Sequence, residues 1–223
     1  MGNVNNVKGD SNAVIGSNNS ASGHQNSILG NKNTALGLGN TIVGTSNTAI
    51  GINNSQTGTL NTAEGIANSQ WGTANLAIGG LNTQVGTGNT AVGYGNVQYG
   101  TGNTVSGHIN TALGTNNTIS GVSNTVIGTS NLASGNLNAI AGTSNIVNGS
   151  KNVATGSSNF IKGSSNAVSG TTNSVVGGNN LVIGSGNNIL SSATAPPSVL
   201  PTRPLPSKPT GSPLLCPTCS SKC

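Results

Sequence analysis

Two places after every asparagine of a seven-residue lattice stands alanine, valine, isoleucine or glutamine, and nothing else. The column begins Val7, Val14, Ala21, Ile28, Ala35, Ile42 and runs unbroken to Ile189. The positions on either side of it range from Thr and Ser to Leu, Trp, Tyr, Lys and Glu. Successive side chains of a strand point to opposite faces, so the restricted column points inward and its two neighbours outward. The asparagines themselves recur from Asn5 to Asn187 and glycine from Gly2 to Gly184, 27 heptads without insertion or deletion. Coiled coils also repeat every seven residues, but each interior glycine costs a helix about 1 kcal/mol relative to alanine. The Thr, Val and Ile between the fixed positions favour strands. The pattern predicts one short strand per heptad and a turn at each Gly-x-x segment. Glycine supplies left-handed backbone angles there, and asparagine bonds to nearby backbone.

Two columns show how many heptads close one coil. The residue after glycine is threonine at Thr45, Thr59, Thr73, Thr87, Thr101, Thr115, Thr129 and Thr143, with Ile52, Ile66, Gly80, Tyr94, His108, Val122 and Asn136 between them. The inward column alternates Ala49, Gln56, Ala63, Gln70, Ala77, Gln84, Ala91, Gln98. Two heptads per coil predict an all-β fold, a two-sided parallel β-solenoid (β-roll) with 14 residues per coil and about 13 coils. At the usual strand spacing such a rod is ~60 Å long. Alanine facing isoleucine or glutamine suits a thin interior of limited volume. Gln56, Gln70, Gln84 and Gln98 then stack as a buried amide ladder, and corner asparagines such as Asn47, Asn61, Asn75 and Asn89 do likewise. So thin an interior leaves much of the stability to bonds between coils, and stability should grow with coil number. The end coils show no cap, which leaves edges open to end-to-end stacking.

Composition then narrows the function. Only 4% of residues are charged and 2% aromatic, against about 25% charged in ordinary domains. The net charge of +5 comes from scattered Lys8, Lys32, Lys151, Lys162, Arg203, Lys208 and Lys222 against Asp10 and Glu64. Without a basic stripe and stacking aromatics, nucleic acid is not an expected partner. No run approaches the ~18 apolar residues of a membrane span, so no membrane insertion is expected. The opening Met-Gly-Asn-Val-Asn-Asn shows neither the basic nor the apolar segment of a secretion signal. Asp10 and Glu64 lie too far apart for paired acid–base work, and His24 and His108 fall at separate turns. Gly37-Leu-Gly39 and Gly100-Thr-Gly102 lack the Lys-Ser/Thr of a phosphate loop. No enzyme activity, cofactor or metal is expected.

The chain divides in two. Residues 1–190 are the array. Residues 191–223 hold all eight prolines and all three cysteines, which reads as a flexible, polyproline-like tail unable to continue a hydrogen-bonded ladder. Cys216-Pro-Thr-Cys219 with Cys223 has the spacing of a redox pair or half a zinc site. No second ligand pair or βαβ unit accompanies it, so the preferred reading is a tail disulfide with a spare thiol, or crosslinks between chains. Asn18, Asn53, Asn116 and Asn148 lie in N-x-S/T sequons, which matter only in a secreted chain.

Asn-Thr-Ala-Ile-Gly at 47–51, Asn-Thr-Ala-Val-Gly at 89–93 and Asn-Thr-Ala-Leu-Gly at 110–114 resemble the Ser-x-Ala-x-Gly repeat of YadA-like trimeric adhesin heads. Those heads are left-handed parallel β-rolls that pack as trimers and bind host or matrix surfaces. Asn-x-Val-x-Gly at Asn103–Gly107, Asn166–Gly170 and Asn173–Gly177 resembles the heptad of plant-type ice-recrystallisation-inhibition (antifreeze) proteins. These are also two-sided β-rolls, with internal asparagine ladders and flat Thr/Ser/Val faces on ice. Both resemblances cover about residues 2–190. Asparagine at every corner favours the plant ice-binding likeness, and alanine at nine inward positions against valine at eight favours the adhesin head. Together they imply a left-handed roll and an extracellular or cell-surface location. The implied partner is an ice surface or copies of the chain itself, as a homotrimer or filament.

Two outward surfaces follow. Face A shows Thr48, Thr62, Leu76, Thr90, Thr104 and Thr118 in one column and Ile50, Glu64, Ile78, Val92, Ser106 and Ser120 in the other. A flat lattice of hydroxyl and methyl groups can order water into ice-like positions, so Thr48, Ile50, Thr62, Ile78, Thr90, Val92, Thr104, Ser106, Thr118 and Ser120 are the expected ice-binding face. Threonine is also simply a good outward strand residue, and Glu64 interrupts the lattice. Face B carries Trp71, Val85, Tyr99, Leu113 and Ile127 on adjacent coils, an apolar patch of the kind that marks a protein interface and the candidate oligomer face. The expected function is ice binding and inhibition of ice recrystallisation through face A. The alternative is an adhesin head or self-assembling fibre protein acting through face B.

Overall fold

The computed structural model describes residues 4–191 and the pair Ser198–Val199. Among the described residues every regular element is a strand. Strands β1 (Asn6–Lys8) and β2 (Ala13–Ser17) begin two sheets. Each later strand starts seven residues on, from β3 (Ser20–His24) to β26 (Leu181–Ser185), and β27 (Asn188–Leu190) closes the series. Odd strands stack in chain order in one 14-stranded sheet and even strands in another, all neighbours parallel. Each residue pairs with the one fourteen places on: Thr90 with Thr104, Ala91 with Val105, Gly93 with Gly107. The two-sided parallel solenoid with two heptads per coil is therefore the fold.

The strands run further than the sequence pattern predicts. β13 (Thr90–Tyr94) includes both Gly93 and the residue after it, so only two residues remain for each turn. The left-handed backbone falls on the residue before asparagine, at Ser46 (φ 58), Ile109 (φ 57) and Thr172 (φ 55) among others. The fixed glycine has two reasons to be glycine. Gly93 sits at φ 125, a positive angle that L side chains rarely adopt, and a Cβ there would fall on the carbonyl oxygen of Gly107 in the next coil. Backbone angle and the close approach of successive coils together exclude every other side chain.

The inward column is buried throughout the interior coils, with Ala49, Ala63, Ala91 and Val105 each 0% exposed. Small residues on one sheet neighbour large ones on the other: Ala49 precedes Gln56, Ala133 precedes Ile140, and Ala154 precedes Ile161. Two apolar blocks result, one from Val14 to Ala49 and one from Val105 to Ile189, and the four glutamines occupy the gap. Gln70 Nε2 donates to Gln84 Oε1 at 2.8 Å and to the Thr62 carbonyl at 2.8 Å. Gln56 and Gln84 repeat the same bonds one coil to either side.

The corner asparagines are bonded on both sides. The Asn103 backbone N–H and Nδ2 both donate to Asn89 Oδ1, at 3.0 and 3.1 Å. Nδ2 also donates to the Gly114 carbonyl at 2.9 Å. Oδ1 of Asn103 in turn accepts from Asn117 N–H and Nδ2. Every polar atom of the side chain is used, which is what makes an amide tolerable at 0% exposure.

The C-terminal end departs from expectation. Ser191 stands where the next glycine would fall. Its N–H donates to the Val176 carbonyl at 2.9 Å, and its Oγ accepts from Asn180 Nδ2 at 3.0 Å. A two-residue strand β28 (Ser198–Val199) then pairs with β26, Leu181 to Ser198 and Val182 to Val199. The reading that the tail cannot extend a ladder is corrected here: Ser198 and Val199 lie among prolines but keep their own N–H groups. Two of the five residues of β26 are thus paired at this end. Cys216, Cys219, Cys223 and the remaining tail lie outside the described residues.

Candidate functional faces

The odd sheet builds face A. Its register sets Thr48, Thr62, Leu76, Thr90, Thr104 and Thr118 in one line and Ile50, Glu64, Ile78, Val92, Ser106 and Ser120 in a second. Within a line, neighbours are ~4.7–4.9 Å apart, the spacing of paired strands. The second line is exposed along its length, and the first is half-buried to Thr90 and exposed at Thr104 and Thr118. Glu64 stands in the second line on β9 (Thr62–Ile66), and Lys162 takes the same place on β23 (Phe160–Ser164). Six strands lie between them, from β11 (Leu76–Gly80) to β21 (Ile146–Ser150), and their outward positions carry no charge.

A further column borders this face. Thr45, Thr59, Thr73, Thr87, Thr101, Thr115, Thr129 and Thr143 pair in register at the ends of even strands. Ser157, Thr171 and Ser185 continue the line, and Thr171 Oγ1 donates to Ser185 Oγ at 2.8 Å. Each member precedes a member of the face A first line by three residues. The corner leading into face A is therefore flanked by threonine on both sides at Thr45/Thr48, Thr59/Thr62, Thr87/Thr90, Thr101/Thr104 and Thr115/Thr118. In the sequence this column served only to count heptads; its place beside face A needs the closed coil.

The even sheet builds face B. From Ala13 to Ile183 its two outward lines contain no charged residue. Trp71, Val85, Tyr99, Leu113 and Ile127 are consecutive in one line, with Trp71 59% and Ile127 47% exposed. Two hollows interrupt the surface. One lies over Val85 between the Trp71 and Tyr99 rings, edged by Ser69 and Thr83. The other lies over Ala139 and Ala141, walled by Ile127 on one side and Val153 and Thr155 on the other.

Titratable side chains are sparse and peripheral. His24 Nδ1 lies 3.6 Å from Asp10 Oδ2, both exposed. The two residues are successive members of one corner column, so the coil brings together a pair that looked unrelated in sequence. Among the described residues no group of three His, Cys, Asp or Glu side chains is placed to hold a metal ion, and no helix is long and apolar enough to cross a membrane.

Fold and surface together define a two-faced β-roll that presents a repeated lattice on each side. Residues 93–192 match the family model described as the grass antifreeze beta roll. The matched stretch runs from β14 (Val97–Thr101) through β27 and takes in Thr104, Ser106, Thr118 and Ser120 of face A and Tyr99, Leu113 and Ile127 of face B. It bears out the resemblance to plant-type ice-binding rolls, an antifreeze family and not a class of enzymes. No curated protein matches the chain.

Proposed function

We propose that the protein binds ice through face A and inhibits ice recrystallisation. The match to an antifreeze roll supports an ice-binding role. The observation that selects the face is the in-register threonine line of Thr48, Thr62, Thr90, Thr104 and Thr118, bordered at the corner by the Thr45–Thr143 column. Ile50, Ile78, Val92, Ser106 and Ser120 fill the second line. Strand spacing repeats one dimension of the lattice, and the separation of the two lines within a strand supplies the other. The fixed sheet holds these hydroxyl and methyl groups in place, so little side-chain freedom remains to be lost on the ice surface. From Thr48 to Ser120 the two lines of face A carry no aromatic ring, whereas the rings of face B would hold a flat crystal plane away. This role places the chain where ice grows, outside the cell or at its surface.

The test is grain growth in a frozen sucrose film. The parent chain should hold grain size constant at low concentration, and the Thr48→Lys/Thr90→Lys/Thr104→Lys variant should lose that effect while its circular dichroism spectrum stays the same. Full activity in the triple variant would remove face A from consideration.

A further inference from the structure

The surface relief of face B is self-complementary. We propose that it is the seat of a second copy of this chain, packed face to face with the two rods antiparallel. A two-fold axis parallel to the strands reverses the order of coils while leaving each outward line opposite its own counterpart. Centre that axis between β14 and β16 (Thr111–Thr115). β10 (Ser69–Thr73) then lies over the partner's β20 (Ala139–Thr143), and β12 (Thr83–Thr87) over its β18 (Thr125–Thr129).

In that register the two hollows each receive a projection. The Trp71 ring enters the depression over the partner's Ala139 and Ala141. Ile127 enters the slot over the partner's Val85, between its Trp71 and Tyr99 rings. Tyr99 lies beside the partner's Leu113, Thr57 opposite its Thr155, and Leu29 opposite its Ile183. No charge is desolvated anywhere along the contact. Face A, by contrast, would have to bury Glu64 and Lys162.

The overlap spans the twelve even strands from β4 (Ser27–Asn31) to β26. Twelve strands of this length cover ~58 Å by ~16 Å, or ~900 Å² per copy. The total of ~1,800 Å² falls within the range of about 1,200–2,000 Å² for stable complexes. A parallel pair, with the axis along the rod, sets Trp71 over Ser69 and crowds both indoles at one level with no hollow to receive them. The antiparallel pair also leaves both copies of face A pointing outward on opposite sides.

Sedimentation equilibrium of the full chain, with reductant present so that tail cysteines cannot link copies, reads the assembly directly. The parent should have twice the chain mass. Ala141→Arg fills the hollow that receives Trp71 and should weaken association at least tenfold. Thr57→Lys, on an exposed strand position, should weaken it too. Adding Thr155→Glu to Thr57→Lys should restore the dimer, because only the antiparallel register brings those two positions together. A monomeric or trimeric parent overturns the proposal. So does a double variant that associates no better than Thr57→Lys alone. Should Ala141→Arg fail to give the parent's circular dichroism, the Thr57 pair still decides. Because mass is measured and not grain growth, this outcome is independent of the ice-binding role.

Discussion

Ile109 holds φ 57, a left-handed backbone that brings Cβ against the following carbonyl and costs an L-residue roughly 1–2 kcal/mol. β-Branching makes the seat worse, and the side chain is 64% exposed, so little burial offsets the strain. The same seat is filled by Asn53, Asn116 and Asn179 elsewhere in the roll. Asparagine tolerates the left-handed region because its amide bonds locally. Ile109→Asn should therefore raise stability by about 1 kcal/mol, seen as a higher urea midpoint; an unchanged or lower midpoint would mean that the seat carries no strain. The sequence pointed to one cause of the obligatory glycine, a positive φ, and missed the other. Heptad position marks where glycine must be, whereas the second reason, the carbonyl of the next coil, lies fourteen residues away and emerges only once coils are stacked.

Within single elements, the glutamine ladder has a direction. Each Nε2 donates toward the C-terminal coil, so the first acceptor, Gln56 Oε1, is buried with no donor, Ile42 being its neighbour in the column. Position along the ladder then decides the effect of a substitution. Gln84→Val removes the donor to Gln98 Oε1 and the acceptor of Gln70 Nε2, leaving a second orphaned acceptor at Gln98 Oε1; with the lost bonds it should cost about 3 kcal/mol. Gln98→Val orphans no amide oxygen, because Gln98 Nε2 donates only to the Thr90 and Asn103 carbonyls, and Gln84 Nε2 keeps the Leu76 and Asn89 carbonyls as acceptors; it should cost clearly less. Equal losses for the two in denaturant melts would show that the ladder is not a chain of polar bonds. The ladder and every strand of the array were legible from the three-residue alternation and the column of glutamines. Strand ends were not, because pairing continues through glycine. Neither was β28, whose two residues carry no periodic signal.

At the scale of the whole molecule, fourteen residues return the chain to the same face and seven carry it to the opposite one. Excising residues 104–117 should shorten the rod by one coil and leave every line continuous. Excising residues 104–110 should keep the β-sheet spectrum yet send Thr118 and Ser120 to face B, and Thr111, Leu113, Thr125 and Ile127 to face A. Grain-growth inhibition should survive the first excision and fall sharply after the second. Equal activity in both would mean that the two faces act alike. The columns that compose each face were readable in the linear chain, since they need only the period. The hollows over Val85 and Ala141, and the threonine corner beside face A, depend on side-chain volume and on which strands become neighbours, and they became visible only in three dimensions.

That closure has a bearing on how such a molecule changes over generations. A copying slip that adds one full circuit inserts a layer whose upper and lower surfaces already match those around it, so nothing upstream or downstream needs to adjust. The area offered to a partner can thus grow or shrink in whole steps by simple duplication or loss, while a slip of half a circuit is penalised at once by scrambling the two sides.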